Sequence, residues 1–214
     1  MKRLILAAAL LTGACMTSAS EPPASNTATE APPAQSSGLP QLPPGTPPPY
    51  LTPATWPDSL ALLPPPPAQG SPAFARDEAA RTDAERFRGT PRWERAVSDA
   101  DLHFPHAAQT FSCAANIPIS QERTPRLYAL LGRTFIDVGL STYRAKTHYQ
   151  RTRPFAMHNA PTCTPGDEAM LRNDGSYPSG HSAAGWGWAL LLTELFPDRT
   201  DEILQRGRDF GQSR

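Results

Sequence analysis

Apolar residues recur at three- and four-residue intervals through much of this 214-residue chain, and no strand-like alternation of any length appears. The clearest case opens at Thr124-Pro125, an N-cap residue followed by proline at the first helical position. Leu127, Leu130, Leu131, Phe135, Val138 and Leu140 then repeat near the helical period, which predicts one helix running to about Tyr149. From Gly180 to Phe196 the chain is apolar nearly all round, with Trp186, Trp188 and a run of leucines, and this predicts a buried central helix ended by Pro197. Asp198 or Thr200 is placed to cap a last helix through Ile203 and Leu204. Residues 74–88 and 91–102 are charged, with few apolar positions, and read as surface helices. The predicted fold class is therefore an all-α helical bundle.

The N-terminal part has a different composition. Met1-Lys2-Arg3 followed by apolar Leu4–Leu11 has the charged start and short apolar run of a secretory signal over residues 1–20, too short for the ~20 residues that span a bilayer. Thr12-Gly13-Ala14-Cys15 matches a permissive lipobox, which would lipidate Cys15; cleavage after Ser18-Ala19-Ser20 is the alternative. Residues 21–70 hold 16 of the 26 prolines, so 21–49 is expected to be a disordered tether. Tyr50, Leu51, Trp56, Leu60, Leu62 and Leu63 should anchor the following stretch to a folded domain over 50–214. An exported location, periplasmic or tethered to the outer membrane, follows from this reading. It also permits disulfides. Cys113 and Cys163 remain as an even pair that would close a loop of about 50 residues worth roughly 4 kcal/mol, the alternative being two separate thiols.

Charge excludes some partners. Lys+Arg and Asp+Glu both number 20, so no net basic field recruits nucleic acid or an anionic membrane. Beyond Lys2, Lys146 is the one lysine among 18 arginines. It begins the spacing Lys146-x6-Arg153-Pro154, which on a continuous helix puts both cations on one face two turns apart, with the helix ending near Pro154. After 23 residues comes Pro178-Ser179-Gly180-His181. Ser179 is an N-cap, Gly180 allows close backbone approach, and the amides of Gly180, His181 and Ser182 at a helix start form an oxyanion site. His181 stands where it can donate a proton to a departing alkoxide. No His-x-His, His-x3-His or paired-cysteine spacing suggests a metal, and no cofactor is expected.

These two words resemble the first two motifs of the phosphatidic acid phosphatase type 2 superfamily, which also contains the vanadium-dependent haloperoxidases. The longer match Gly175-Ser176-Tyr177-Pro178-Ser179-Gly180-His181, with Gly139-Leu140-Ser141-Thr142-Tyr143 upstream and Gly211-Gln212-Ser213-Arg214, is similar to the bacterial class A non-specific acid phosphatases. The similarity covers roughly residues 50–214, with Ser182 where that group usually has threonine. The resemblance implies phosphomonoesters as substrates and the helical fold of that superfamily without its C-terminal part. Lys146, Arg153, Ser179, Gly180 and Arg214 would hold the phosphate and His181 would protonate the leaving group. Arg214 takes this role from the family's third motif, which continues to a nucleophilic histidine and an orienting aspartate. The expectation is thus a piece of a longer phosphatase, binding phosphate with negligible turnover. The alternatives are a non-catalytic phosphate-binding lipoprotein and a vanadate-dependent haloperoxidase.

Overall fold

The computed structural model describes residues 47–214, so the expected signal, the lipobox cysteine Cys15 and most of the tether lie outside the described residues. The described chain is all-α, with eleven helices and no strand. In order these are α1 (Ser59–Leu62), α2 (Pro72–Ala84), α3 (Pro91–Ala100), α4 (His106–Gln109), α5 (Ser112–Ala115) and α6 (Pro125–Ser141). They continue as α7 (Tyr143–Tyr149), α8 (Pro154–His158), α9 (Glu168–Leu171), α10 (Gly180–Leu195) and α11 (Thr200–Gln212).

α10 is the central element and packs on α6 and α11. Its buried face is Ala184, Gly185, Trp188, Ala189 and Leu192, an i, i+4, i+8 stripe that one helical face must carry. Trp188 fills the middle of the core among Phe104, Phe111, Phe135 and Phe210, and its Nε1–H donates to the Leu131 carbonyl at 3.0 Å, so the indole is buried without an orphaned donor. The expectation of burial all round does not hold: Trp186, Leu190 and Leu195 are 39%, 48% and 49% exposed, because α6 and α11 cover only part of the circumference.

Glycine sets the α10–α11 spacing. A Cβ at Gly207 would meet the Ala189 Cβ at 2.5 Å, and one at Gly185 would meet the Phe210 ring at 2.6 Å. A side chain at either position would force its neighbour to shift.

Three further expectations are corrected. The helix predicted to run from Pro125 to Tyr149 is broken at Thr142, whose amide and Oγ1 both donate to the Gly139 carbonyl at 3.3 and 2.7 Å; this tightened turn separates α6 from α7. Neither Asp198 nor Thr200 caps α11, since Arg199 holds the N-cap position without a side-chain bond and Asp198 lies in a 3₁₀ turn over Pro197–Arg199. Residues 50–63 are anchored by polar contacts as well as apolar ones: Trp56, Leu60 and Leu63 are half-buried, while Tyr50, Leu51 and Leu62 are 49%, 40% and 70% exposed. Asp137 on α6, 8% exposed, accepts from the amides of Tyr50 and Leu51 and from Trp56 Nε1 at 2.8, 3.0 and 3.1 Å. Ser59 Oγ accepts from the Ala145 amide at 3.1 Å, satisfying an orphan donor in the first turn of α7.

Replacing Gly207 with alanine should destabilise the protein by about 1–3 kcal/mol, the usual cost of overpacking a filled contact. Equilibrium urea unfolding of the wild type and Gly207→Ala checks this.

Candidate active site

The two signature words meet at one loop, residues 174–176. α7 ends at Tyr149, Gln150 adopts a left-handed conformation (φ 42°), and Arg153 becomes the N-cap of α8 with Pro154 at its first position. Lys146 and Arg153 therefore do not share a continuous helix, as the spacing predicted. A turn brings them together. Lys146 Nζ donates to the Gly175 carbonyl at 2.9 Å, while Arg153 Nε donates to the Asp174 carbonyl at 2.9 Å and its Nη2 reaches the Gly175 carbonyl at 3.3 Å. Gly175 is tightly seated here: a Cβ would lie 3.1 Å from the Lys146 carbonyl oxygen and 3.3 Å from the Gln150 Cα, so those neighbours would have to give way.

Ser179 caps α10 as expected, its Oγ accepting from the Ser182 amide at 3.2 Å. That bond removes Ser182 from the predicted set of oxyanion donors and leaves the amides of Gly180 and His181 at the positive end of the helix. Tyr177 ties the loop before the cap to the proline run, its hydroxyl donating to the Pro64 carbonyl at 2.9 Å.

His181 is partly buried. Its Nε2 lies 3.1 Å from the Ala100 carbonyl, an acceptor only, so Nε2 carries the hydrogen and Nδ1 is the nitrogen left to gain and lose a proton. The ring also stacks on Phe210 at 6.3 Å. Burial pushes its pKa down to about 4; the Ala100 bond opposes this, and the charges of Arg214, Arg153 and Lys146 add to it. Lys146 is 4% exposed, and burial lowers its pKa against the opposing charge of Asp174. Burial likewise raises the Tyr143 phenol, with Asp174 acting in the same direction.

Arg214 reaches the same cleft from the end of α11. Its Nη1 donates to Thr164 Oγ1 at 3.1 Å and lies 3.6 Å from Cys163 Sγ. The preceding Ser213 is held by a buried network: its Oγ donates to Asp99 Oδ2 at 2.8 Å and accepts from Arg92 at 2.9 Å. Asp99, fully buried on α3, also forms a two-pronged ion pair with Arg206. All six residues predicted for the phosphate site line this one cleft of about 1030 Å³. Sequence reasoning missed Asp174 and Asp99. Asp174 stands directly before the Gly175–His181 word and was open to notice, whereas nothing local marks Asp99.

The other four histidines stay outside the cleft. His103 pairs with Asp101, His106 bonds Ser98 Oγ and its carbonyl, His158 pairs with Glu78, and His148 is exposed with its ring edge against Tyr149. The expected Cys113–Cys163 bridge is not formed: both are free thiols, because α5 carries Cys113 to a cleft against α11 while Cys163 faces Arg214 in the active-site cleft. Among the described residues no group of three or more His, Cys, Asp or Glu is placed to hold a metal ion, and no helix is long and apolar enough to cross a membrane.

Residues 126–205 match the family model described as the PAP2 superfamily. Over 158 residues the chain is 46% identical to a non-specific acid phosphatase of Providencia stuartii, covering 73% of this chain and 64% of that protein. Over 168 residues it is 40% identical to a non-specific acid phosphatase of Salmonella typhimurium, covering 78% and 67%, and over 161 residues 41% identical to an acid phosphatase of Zymomonas mobilis, covering 73% and 60%. The chain thus spans about two thirds of the length of these curated relatives. With the signature residues gathered in one cleft and this degree of identity, the chain belongs to the PAP2 superfamily, among its class A non-specific acid phosphatases.

Proposed function

We propose that this protein is the phosphate-binding part of an exported acid phosphatase that hydrolyses phosphomonoesters through a phosphohistidine intermediate. The observation carrying this reading is the meeting of Lys146, Arg153 and Arg214 around the start of α10 and His181. Three cations and two helix-end amides facing one cleft suit the charge of a phosphoryl group, which supports the reading. Lys146, Arg153, Arg214 and the α10 amides hold the phosphoryl oxygens. His181, protonated on Nδ1, hands that proton to the leaving oxygen as the P–O bond breaks.

The phosphohistidine route also needs a histidine facing the phosphorus, and His103, His106, His148 and His158 all lie outside the cleft. In this reading the nucleophile belongs to a part of the enzyme that these 214 residues do not contain. The same observation supports the second reading, a phosphate-binding surface lipoprotein without turnover. Export rests on the charged and apolar start, Met1 to Leu11, with lipidation at Cys15 as one form of it.

Electrostatics gives the pH dependence its sign. The cations that depress His181 are those a bound dianion neutralises, so an oxyanion in the cradle raises the His181 pKa above its value of about 4. Imidazole NMR on the 214-residue protein should show His181 titrating near 4 and moving upward with saturating sulfate, a dianion across this range. A midpoint insensitive to sulfate would place the anion elsewhere. His181 acts as an acid only when protonated, so phosphatase activity should fall as pH rises through that raised pKa.

For catalysis, the 214-residue chain should bind phosphate but hydrolyse p-nitrophenyl phosphate negligibly beside a version carrying the complete third motif. In that longer version His181→Asn should cost about 10²–10⁴-fold on an alkyl phosphate and less on p-nitrophenyl phosphate, whose leaving group needs little protonation. Steady-state kinetics on the two substrates checks both statements.

A further inference from the structure

We infer that the Asp174 carboxylate is a built-in counter-ion of the phosphate cradle, an internal competitor that sets how tightly the site holds an oxyanion. The inference rests on the phosphate-site reading above and deepens it.

Asp174 Oδ2 lies 2.9 Å from Arg153 Nη2 and 3.9 Å from Lys146 Nζ, so one carboxylate oxygen serves both cations of the first signature word. Neither cation pairs with another carboxylate among the described residues. A buried ammonium is costly without a nearby negative charge, and Lys146 is 4% exposed. Asp174 supplies that charge. An entering phosphate oxyanion supplies it too, and must take the same donors.

The backbone, rather than this carboxylate, positions the two cations. Lys146 Nζ is fixed by the Gly175 carbonyl and Arg153 Nε by the Asp174 carbonyl, each at 2.9 Å. The loop carrying those carbonyls is fixed in turn by the Ser176 amide, which donates to the Arg151 carbonyl at 2.8 Å, and by the tight seat of Gly175 against α7. Removing the Asp174 charge therefore leaves the cradle's geometry standing while ending the competition and the repulsion of a second anion. The side chain is 36% exposed and has water to turn into when displaced. The consequence is a looser grip on inorganic phosphate. This suits a site that must release that ion after each turnover, since equal tightening of every bound state would not speed the reaction.

Calorimetric titration of the 214-residue protein with inorganic phosphate, at fixed pH and ionic strength, tests this. Asp174→Asn, which keeps the shape and an acceptor for Arg153, should tighten phosphate binding on the order of tenfold, about 1.4 kcal/mol. Asp174→Ala should also tighten it, and circular dichroism melts should show both variants folded. Lys146→Met should abolish the binding. Phosphate binding that Lys146→Met removes, but that Asp174→Asn leaves unchanged or weakens, overturns the competitor role alone and makes Asp174 a positioning residue. No phosphate binding by either the wild type or Asp174→Asn overturns the phosphate site and this inference together.

Discussion

The active site depends on how closely α10 and α11 approach. Gly185 and Gly207 remove the side chains that would hold the two helices apart, and the contact extends one turn further to Gly211, which lies against Ser182 near the start of α10. That approach seats Phe210 beneath the His181 ring. It also delivers the end of α11, with Arg214, to the N-terminus of α10, and Ser182 Oγ fastens the join by donating to the Gly211 carbonyl at 3.3 Å. A wider crossing would keep both helices intact and still pull the third cation away from the other two.

Around this contact α3 acts as a brace. Its last turn presents Asp99 to Ser213 and Arg206, and the adjoining Ala100 carbonyl to His181. One helix end thus fixes both the arginine-bearing tail and the histidine ring. Arg206 adds to the brace by stacking near Phe111 and Phe210 while its Nε donates to the Thr110 carbonyl at 2.9 Å. A buried charge in this position is tolerable because its partners satisfy it on every side.

The electrostatic character of the cleft follows from the same arrangement. Three cations gather where water is partly excluded, so His181 and Lys146 both resist protonation more than they would in solvent. Asp174 relieves part of that tension at Lys146. The charge held in the cleft and the protonation of His181 are therefore coupled electrostatically.

The sequence by itself determined the helical class, the principal helices and six of the residues that line the cleft. Those features are local: apolar period, cap residues, and short words whose spacing carries chemistry. It also led to a continuous helix joining Lys146 to Arg153, a fully buried α10 and a Cys113–Cys163 bridge, and none of the three survives in the folded chain. The left-handed turn at Gln150 ends α7 before Arg153 and breaks the first; the limited reach of α6 and α11 leaves the second open; separate clefts keep the two thiols apart. Asp174 and Asp99 gained their roles only in three dimensions, because a carboxylate's partner is whichever cation the fold brings within about 4 Å, and sequence separation does not encode that distance.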